Sequence, residues 1–188
     1  MRKLIVQQWV TADNIAAEED GGLSFVAVEP FSDQSTDPYQ TSMMTFIDSV
    51  DTMVLGATTY AQTKDYWPNA TDQGEWGEKL NNLAKVVASS KLDDAPWGDI
   101  PAATVTRDAA TTIKELKQQS GKDLWLWGSL TLMQSLLEAG EVDELRLLVC
   151  PTSRGQGTRI FQDTQDLTPI EATLFDNGIT LLRYAIKR

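Results

Sequence analysis

The residues with the clearest chemical potential are Gly128 and Ser129. They stand between the apolar run Leu124-Trp125-Leu126-Trp127 and a helical pattern that carries Leu130, Met133, Leu136 and Leu137. The spacing predicts a buried strand that stops at Gly128 and passes straight into a helix. The free backbone N–H groups and positive dipole end of such a helix suit a phosphate. A strand–helix turn without a ligand would use the same residues, so this junction alone leaves both readings open.

The other catalytic equipment is sparse. The 188 residues include no histidine. That removes Ser–His and Cys–His nucleophiles, His-ligated metal sites and the commonest acid–base group near neutral pH. No catalytic residue and no metal ligand set is assigned. Cys150 lies in an apolar stretch and reads as a small buried hydrophobe. A lone cysteine forms no intrachain disulfide, which fits a reducing compartment. The net charge of −11 would repel a nucleic-acid backbone. An anionic cofactor would need a local helix terminus or an arginine to overcome that field. Arg2 and Lys3 precede only Leu4, Ile5 and Val6 before Gln7, too short a run for a signal-peptide core. No run approaches the ~18 apolar residues of a membrane span. A cytoplasmic protein with no membrane partner is expected.

The surrounding elements must position the junction. Residues 3–10 predict a first strand, and residues 11–36 a long polar loop. Asp37-Pro38 predicts a helix start, with the aspartate as N-cap and the proline at the first helical position. Met43, Met44, Ile47 and Val50 would form its apolar face. A short strand, Thr52 to Leu55, ends at Gly56, and Thr58 to Lys64 begins a second helix. Residues 65–78 read as a loop. Ala84 to Ala88 and Ala103 to Thr106 predict two more strands. Asp108 can cap the next helix, and Thr112 with Glu115 has capping-box spacing. Leu145 to Val149 predict an interior strand, and a final hairpin turns at Asp176-Asn177-Gly178. Strands alternate with helices and the chain then finishes all-β. This implies a single domain over 1–188, a three-layer α/β/α fold with a mostly parallel sheet and antiparallel C-terminal strands. Ligands in such sheets sit beyond the carboxyl ends of the strands, where Gly56, Ser89-Ser90, Thr106-Arg107 and Gly128-Ser129 all fall.

This ordered set resembles the dihydrofolate-reductase-like fold, and within it proteins similar to the reductase domain of the riboflavin-pathway bifunctional deaminase–reductase. The likeness covers nearly the whole chain. It runs from Lys3-Leu4-Ile5-Val6-Gln7-Gln8-Trp9 through Asp51-Thr52-Met53-Val54-Leu55-Gly56, Tyr66-Trp67-Pro68 and Lys85-Val86-Val87-Ala88-Ser89. It continues through Leu126-Trp127-Gly128-Ser129, Gly140-Glu141-Val142-Asp143-Glu144-Leu145-Arg146 and Gly155-Gln156-Gly157-Thr158-Arg159-Ile160-Phe161. The resemblance implies an oxidoreductase that uses NADPH, with NADH as the alternative, to deliver hydride to a small heterocyclic or carbonyl substrate. The nearest activity is that of 5-amino-6-(5-phosphoribosylamino)uracil reductase; dihydrofolate reduction and a non-catalytic small-molecule binder are the alternatives. A homodimer is also implied.

Carried over by residue, Gly56 and Thr59 match the helix start that holds the cofactor pyrophosphate. Ser89 and Ser90 match the strand end near the adenosine ribose, and Thr106 and Arg107 flank the adenine. Gly128, Ser129 and Leu130 match the second pyrophosphate-binding turn. Trp9 and Ala16 fall near the nicotinamide, and Trp9, Gln40, Met43 and Met44 would meet the substrate. The tryptophans read mainly as packing residues, with Trp9 the best candidate for the pocket. Four departures stand out. Ala57 occupies the place of an arginine that grips the 2′-phosphate, which Arg107 or Lys91 would have to replace. Asn14 stands for a loop glycine, and Ser153-Arg154 stands for aliphatic residues. The stretch Tyr39-Gln40-Thr41-Ser42-Met43 carries no carboxylate where dihydrofolate reductases place their acid.

Overall fold

The computed structural model describes residues 1–187. Its centre is an eight-stranded sheet built from β1 (Leu4–Thr11), β3 (Val50–Gly56), β4 (Ala84–Ala88), β5 (Thr104–Thr106), β6 (Asp123–Trp127), β7 (Glu144–Cys150), β9 (Leu167–Leu174) and β10 (Thr180–Ile186). The order across the sheet is β5-β4-β3-β6-β1-β7-β10-β9. The first six run parallel, while β10 is antiparallel to both β7 and β9. The expected mostly parallel α/β sheet with an antiparallel C-terminal hairpin is therefore what the chain forms.

Interior strands alternate their side chains between two apolar layers, as a sheet covered on both faces requires. Ile5, Met53, Leu55, Val87 and Trp125 point to one layer. There they meet Tyr39, Met43 and Phe46 of α1 (Pro38–Asp48) and Trp76 and Leu80 of α3 (Gly74–Asn82). Leu4, Val6, Val54, Leu124 and Leu126 point to the other layer. They pack on Ile113 of α4 (Ala109–Gln118) and on Met133 and Leu136 of α5 (Leu130–Glu138). The short α2 (Ala57–Thr63) follows β3 directly. In α1 the predicted cap forms: Asp37 Oδ1 accepts from the Tyr39 amide at 2.9 Å, with Pro38 in the first turn.

Several local expectations are corrected. Residues 65–78 are not all loop: a 3₁₀ turn at Trp67–Asn69 precedes α3. Gly74 and Gly77 lower the helix propensity of that segment, but burial of Trp76 and Leu80 prevails. Thr112 lies inside α4, so no capping box starts there; Asp108 Oδ1 caps the helix by accepting from the Thr111 amide at 3.0 Å. Val50 begins β3 instead of continuing α1. The long loop contains β2 (Ile15–Ala17), which pairs with β8 (Thr158–Arg159). Gly155 and Gly157 thus lie in the approach to a small second sheet, where a Cβ on Gly157 would come within 2.4 Å of the Ala17 carbonyl oxygen.

Candidate functional site

Four parallel strands end in a row along the carboxyl edge of the sheet, and a groove of about 1250 Å³ crosses them. That exceeds the usual ~300–1,000 Å³ of a small-molecule pocket and suits a long ligand. Two strand–helix junctions meet in its floor. At the first, β3 turns into α2 at Gly56; at the second, β6 turns into α5 through Gly128 and Ser129, both left-handed with φ 60° and 61°. The hydroxyl of Ser129 ties the junctions together. It accepts from the Gly56 amide at 2.7 Å and lies 2.9 Å from Thr59 Oγ1, to which it can donate. Residues about 70 positions apart are thereby brought together by the pairing of β3 with β6.

Neither α2 nor α5 has a side-chain cap, and the first-turn residues of both line the groove: Ala57, Thr58 and Thr59 on one side, Leu130, Thr131 and Leu132 on the other. Uncapped first-turn amides with a positive dipole end provide a local setting for an anion. Gly128 leaves room between the junctions, since a Cβ there would lie 3.3 Å from Thr59 Oγ1.

Most of the predicted cofactor residues line this groove. Trp9, Ala16, Gly56 and Thr59 do so, as do Ser90, Arg107, Gly128, Ser129 and Leu130. Ser89 reaches it too, but its side chain is committed locally: Oγ accepts from the amides of Lys91 and Leu92 at 3.2 and 3.1 Å. Thr106 does not line the groove; its hydroxyl accepts from the Asp108 amide and pairs with Thr112 Oγ1 at 2.8 Å. Arg107 extends over the groove wall, donating to the Ser89 carbonyl and to Asp93 Oδ1 at 3.1 Å.

A second, smaller cavity of about 350 Å³ adjoins the groove and shares Gln7, Trp9 and Trp127 with it. Its walls are aromatic. Trp125 and Trp127 stack at 5.1 Å between centroids, Phe31 stacks on Trp76 at 4.4 Å, and Trp67 meets Trp127 edge-on at 5.4 Å. Five of the six tryptophans line this one cavity, more than Trp9 alone, and the expected packing role holds as well, since Trp76, Trp97 and Trp125 are core residues. Trp76 and Trp125 do both, because one face of a large ring can pack while another faces the cavity.

Met43 lines the small cavity as expected; Gln40 and Met44 do not. Gln40 holds the wall instead. Its Oε1 accepts from the Ser32 amide at 3.1 Å and its Nε2 donates to the Pro30 carbonyl at 3.1 Å, fixing the loop beside Phe31. Met44 packs against the core one step round α1. The carboxylates of the cavity lining are Glu29 and Asp72, which come from loops and not from α1. Gln7 was not anticipated, nor was Arg146, which stands behind it and donates from Nε to Gln7 Oε1 at 3.0 Å. Burial pulls the Arg146 guanidinium down to about 10. Nothing local signals this pair, since the partners lie 139 residues apart.

The loop that carries β2 is tied down by the departures noted in the sequence. Asn14 takes φ 66°, which asparagine tolerates. Asp13 accepts from the Gly155 amide at 2.7 Å, and Arg154 Nε donates to Glu18 Oε1 at 2.7 Å.

Comparison with known proteins places this architecture. A family model described as RibD C-terminal domain matches residues 2–181. The uncharacterized protein YyaP of Bacillus subtilis (strain 168) is 24% identical over 192 residues, covering 97% of this chain and 94% of its own. The crystal structure of a putative riboflavin biosynthesis protein from Shewanella sp. PV-4 superposes with a TM-score of 0.76 at 17% identity, covering 99% of each chain. The diaminohydroxyphosphoribosylaminopyrimidine deaminase/5-amino-6-(5-phosphoribosylamino)uracil reductase of Thermotoga maritima superposes with a TM-score of 0.64 at 11% identity. In that pair 99% of this chain is covered but 57% of the larger one.

Proposed function

The chain belongs to the RibD C-terminal domain family, whose members have the dihydrofolate-reductase-like fold, and from that premise we propose that it is an NADPH-dependent reductase of a small heterocyclic substrate. The observation that carries the reading is the convergence of two uncapped helix starts, joined through Ser129, in the floor of a groove that opens into an aromatic cavity.

The residues present fit a dinucleotide. The two first turns would hold its pyrophosphate, Gly128 allows close approach of the backbone, and Ser90 and Arg107 line the end of the groove that would take the adenosine half. Arg107 is also the cation placed to meet a 2′-phosphate, in the role left vacant by Ala57. NADPH, when bound, supplies the hydride. The protein supplies orientation and exclusion of water. Trp9 and Trp127 line both groove and cavity, so they mark the place where the two ligands would meet. Reduction of a C=N or C=O bond takes one hydride at carbon and one proton at the heteroatom. Glu29 and Asp72 are the carboxylates at hand on the cavity lining among the described residues.

A crystal structure with NADPH tests this directly. The reading predicts pyrophosphate against Gly128–Leu132 and the nicotinamide between Trp9 and Trp127. A nicotinamide ring outside the Trp9–Trp127 junction would overturn it.

A further inference from the structure

We propose that Gln8 is a positioning residue for the cofactor: its side-chain amide holds the Gly128 carbonyl inward and so keeps the Ser129 N–H turned into the groove, toward a phosphate. The inference rests on the reading that this groove takes a dinucleotide, and it adds the device that sets the phosphate-facing peptide.

Gln8 lies on β1 beside the end of β6 and is buried. Its Nε2 donates to the Gly128 carbonyl. A carbonyl only accepts, so the nitrogen of the Gln8 amide must face it. The peptide between Gly128 and Ser129 is trans, and in a trans peptide the N–H points away from the C=O. The carbonyl is drawn toward β1 and Met133, whose Sδ lies 3.9 Å from the same Nε2, and the Ser129 N–H is thereby turned the opposite way. Ser129 lines the groove, and its N–H donates to no group among the described residues. Left-handed Ser129 is followed by the right-handed first turn of α5, a succession that aims neighbouring N–H groups at one point.

This orientation needs a hold because it is strained. Ser129 sits at φ 61°, a region that is unfavourable for a residue with a Cβ. Rotating the 128–129 peptide by half a turn would carry that φ to about −120°, where L-residues are at ease. Gly128 would absorb the matching change in ψ, having no Cβ to clash. The flip would relieve Ser129, but it would set the Gly128 carbonyl oxygen, the negative end of the peptide dipole, where a phosphate would lie. The bonds of the Ser129 hydroxyl to Gly56 and Thr59 fix the side chain and leave the peptide plane free. Among the described residues, Gln8 is the one side chain bonded to that peptide.

The test is a calorimetric titration of the full chain with NADP⁺, the acid-stable oxidised form of the cofactor, from about pH 8 down to about pH 5. Adenosine 2′-monophosphate, which lacks the pyrophosphate, is the control ligand. Gln8→Leu removes the donor and should weaken NADP⁺ about tenfold at every pH. Gln8→Glu keeps the shape but donates only when protonated. Near pH ~8 it should weaken NADP⁺ at least as much as Gln8→Leu does. As pH falls toward ~5, its affinity relative to the native chain should recover to within about threefold, because burial raises the introduced carboxyl into that range. The groups that the Gln8 amide touches, the Gly128 carbonyl and Met133 Sδ, do not titrate, so the recovery reports that carboxyl. Neither variant should change the affinity for adenosine 2′-monophosphate by more than about twofold. An NADP⁺ affinity that Gln8→Leu leaves unchanged, a Gln8→Glu affinity that gains nothing on the native chain as pH falls, or an equal loss of adenosine 2′-monophosphate overturns the proposal. Should Gln8→Leu fail to fold, the pH profile of the isosteric Gln8→Glu decides alone. If the native chain binds NADP⁺ and both variants match it, only this proposal falls; if the native chain does not bind NADP⁺, the cofactor reading falls and takes this proposal with it.

Discussion

Arg107 is the residue on which the proposed choice of cofactor turns. It lines the end of the groove proposed to take the adenosine half, half exposed, in a protein whose net charge of −11 otherwise disfavours an extra phosphate. Arg107→Ala should weaken NADPH by about tenfold, the scale of one charge-assisted hydrogen bond, and leave NADH nearly unchanged. Equal losses for both cofactors, measured by fluorescence titration, would remove the arginine from that role. Cys150 makes the opposite kind of prediction. Burial pushes its thiol up to about 11, so at neutral pH it should resist thiol reagents until the chain unfolds. Rapid labelling of the native protein would contradict its placement in the core. At this scale the sequence was legible where one residue type does one job. Gly128 stands at the strand–helix junction expected of it, and Asn14, in place of a loop glycine, takes the left-handed backbone that a glycine would. Gln7 was not legible, because its meaning comes from Arg146 on a neighbouring strand, and Gln40 was assigned to a ligand when its amide serves the loop.

Elements carry the next set of expectations. The segment around β2 borders the groove and is held by two carboxylates. The Thr11 hydroxyl and the Gly155 amide hold Asp13 down to about 2, and Ser24 and Arg154 do the same for Glu18. Both values lie below the ordinary 3.8 and 4.5. Their contribution to docking is therefore fully present above those ordinary values and is lost as pH falls through about 2. Hydrogen exchange at the Gly155 amide should stay protected at pH ~4 and open toward pH ~2, and Asp13→Ala should open it at both. An amide equally protected at every pH would show that the carboxylates do not hold the segment. Strand β6 and helix α5 were readable because a dense apolar run and a 3.6-residue period survive on both sides of one glycine. Helix α3 was not, because its two glycines and polar residues hide a helix that exists to bury Trp76 and Leu80.

Across the whole molecule, the order of strands matters more than any one motif. Because β6 and β1 lie between β3 and β7, chain segments separated by more than a hundred residues end side by side, and the groove follows from that alignment. Alternating strands and helices were enough to predict a parallel sheet with its ligand edge at the carboxyl ends. They said nothing of the aromatic cavity, which gathers residues from β1, β6, α1, α3 and two loops. The central claim is that the groove holds NADPH against the Gly128–Ser129 turn. Valine at position 128 would put a branched side chain at φ 60° and about 3.3 Å from Thr59 Oγ1, so it should strain the backbone and fill the phosphate approach. Isothermal calorimetry of NADPH into the native protein and into Gly128→Val, with thermal unfolding of both to confirm that the variant is folded, is the decisive measurement. Saturable one-site binding that the substitution weakens by about tenfold or more is the predicted result; no heat and no thermal shift of the native protein at millimolar NADPH, or an affinity that the valine leaves unchanged, would contradict it.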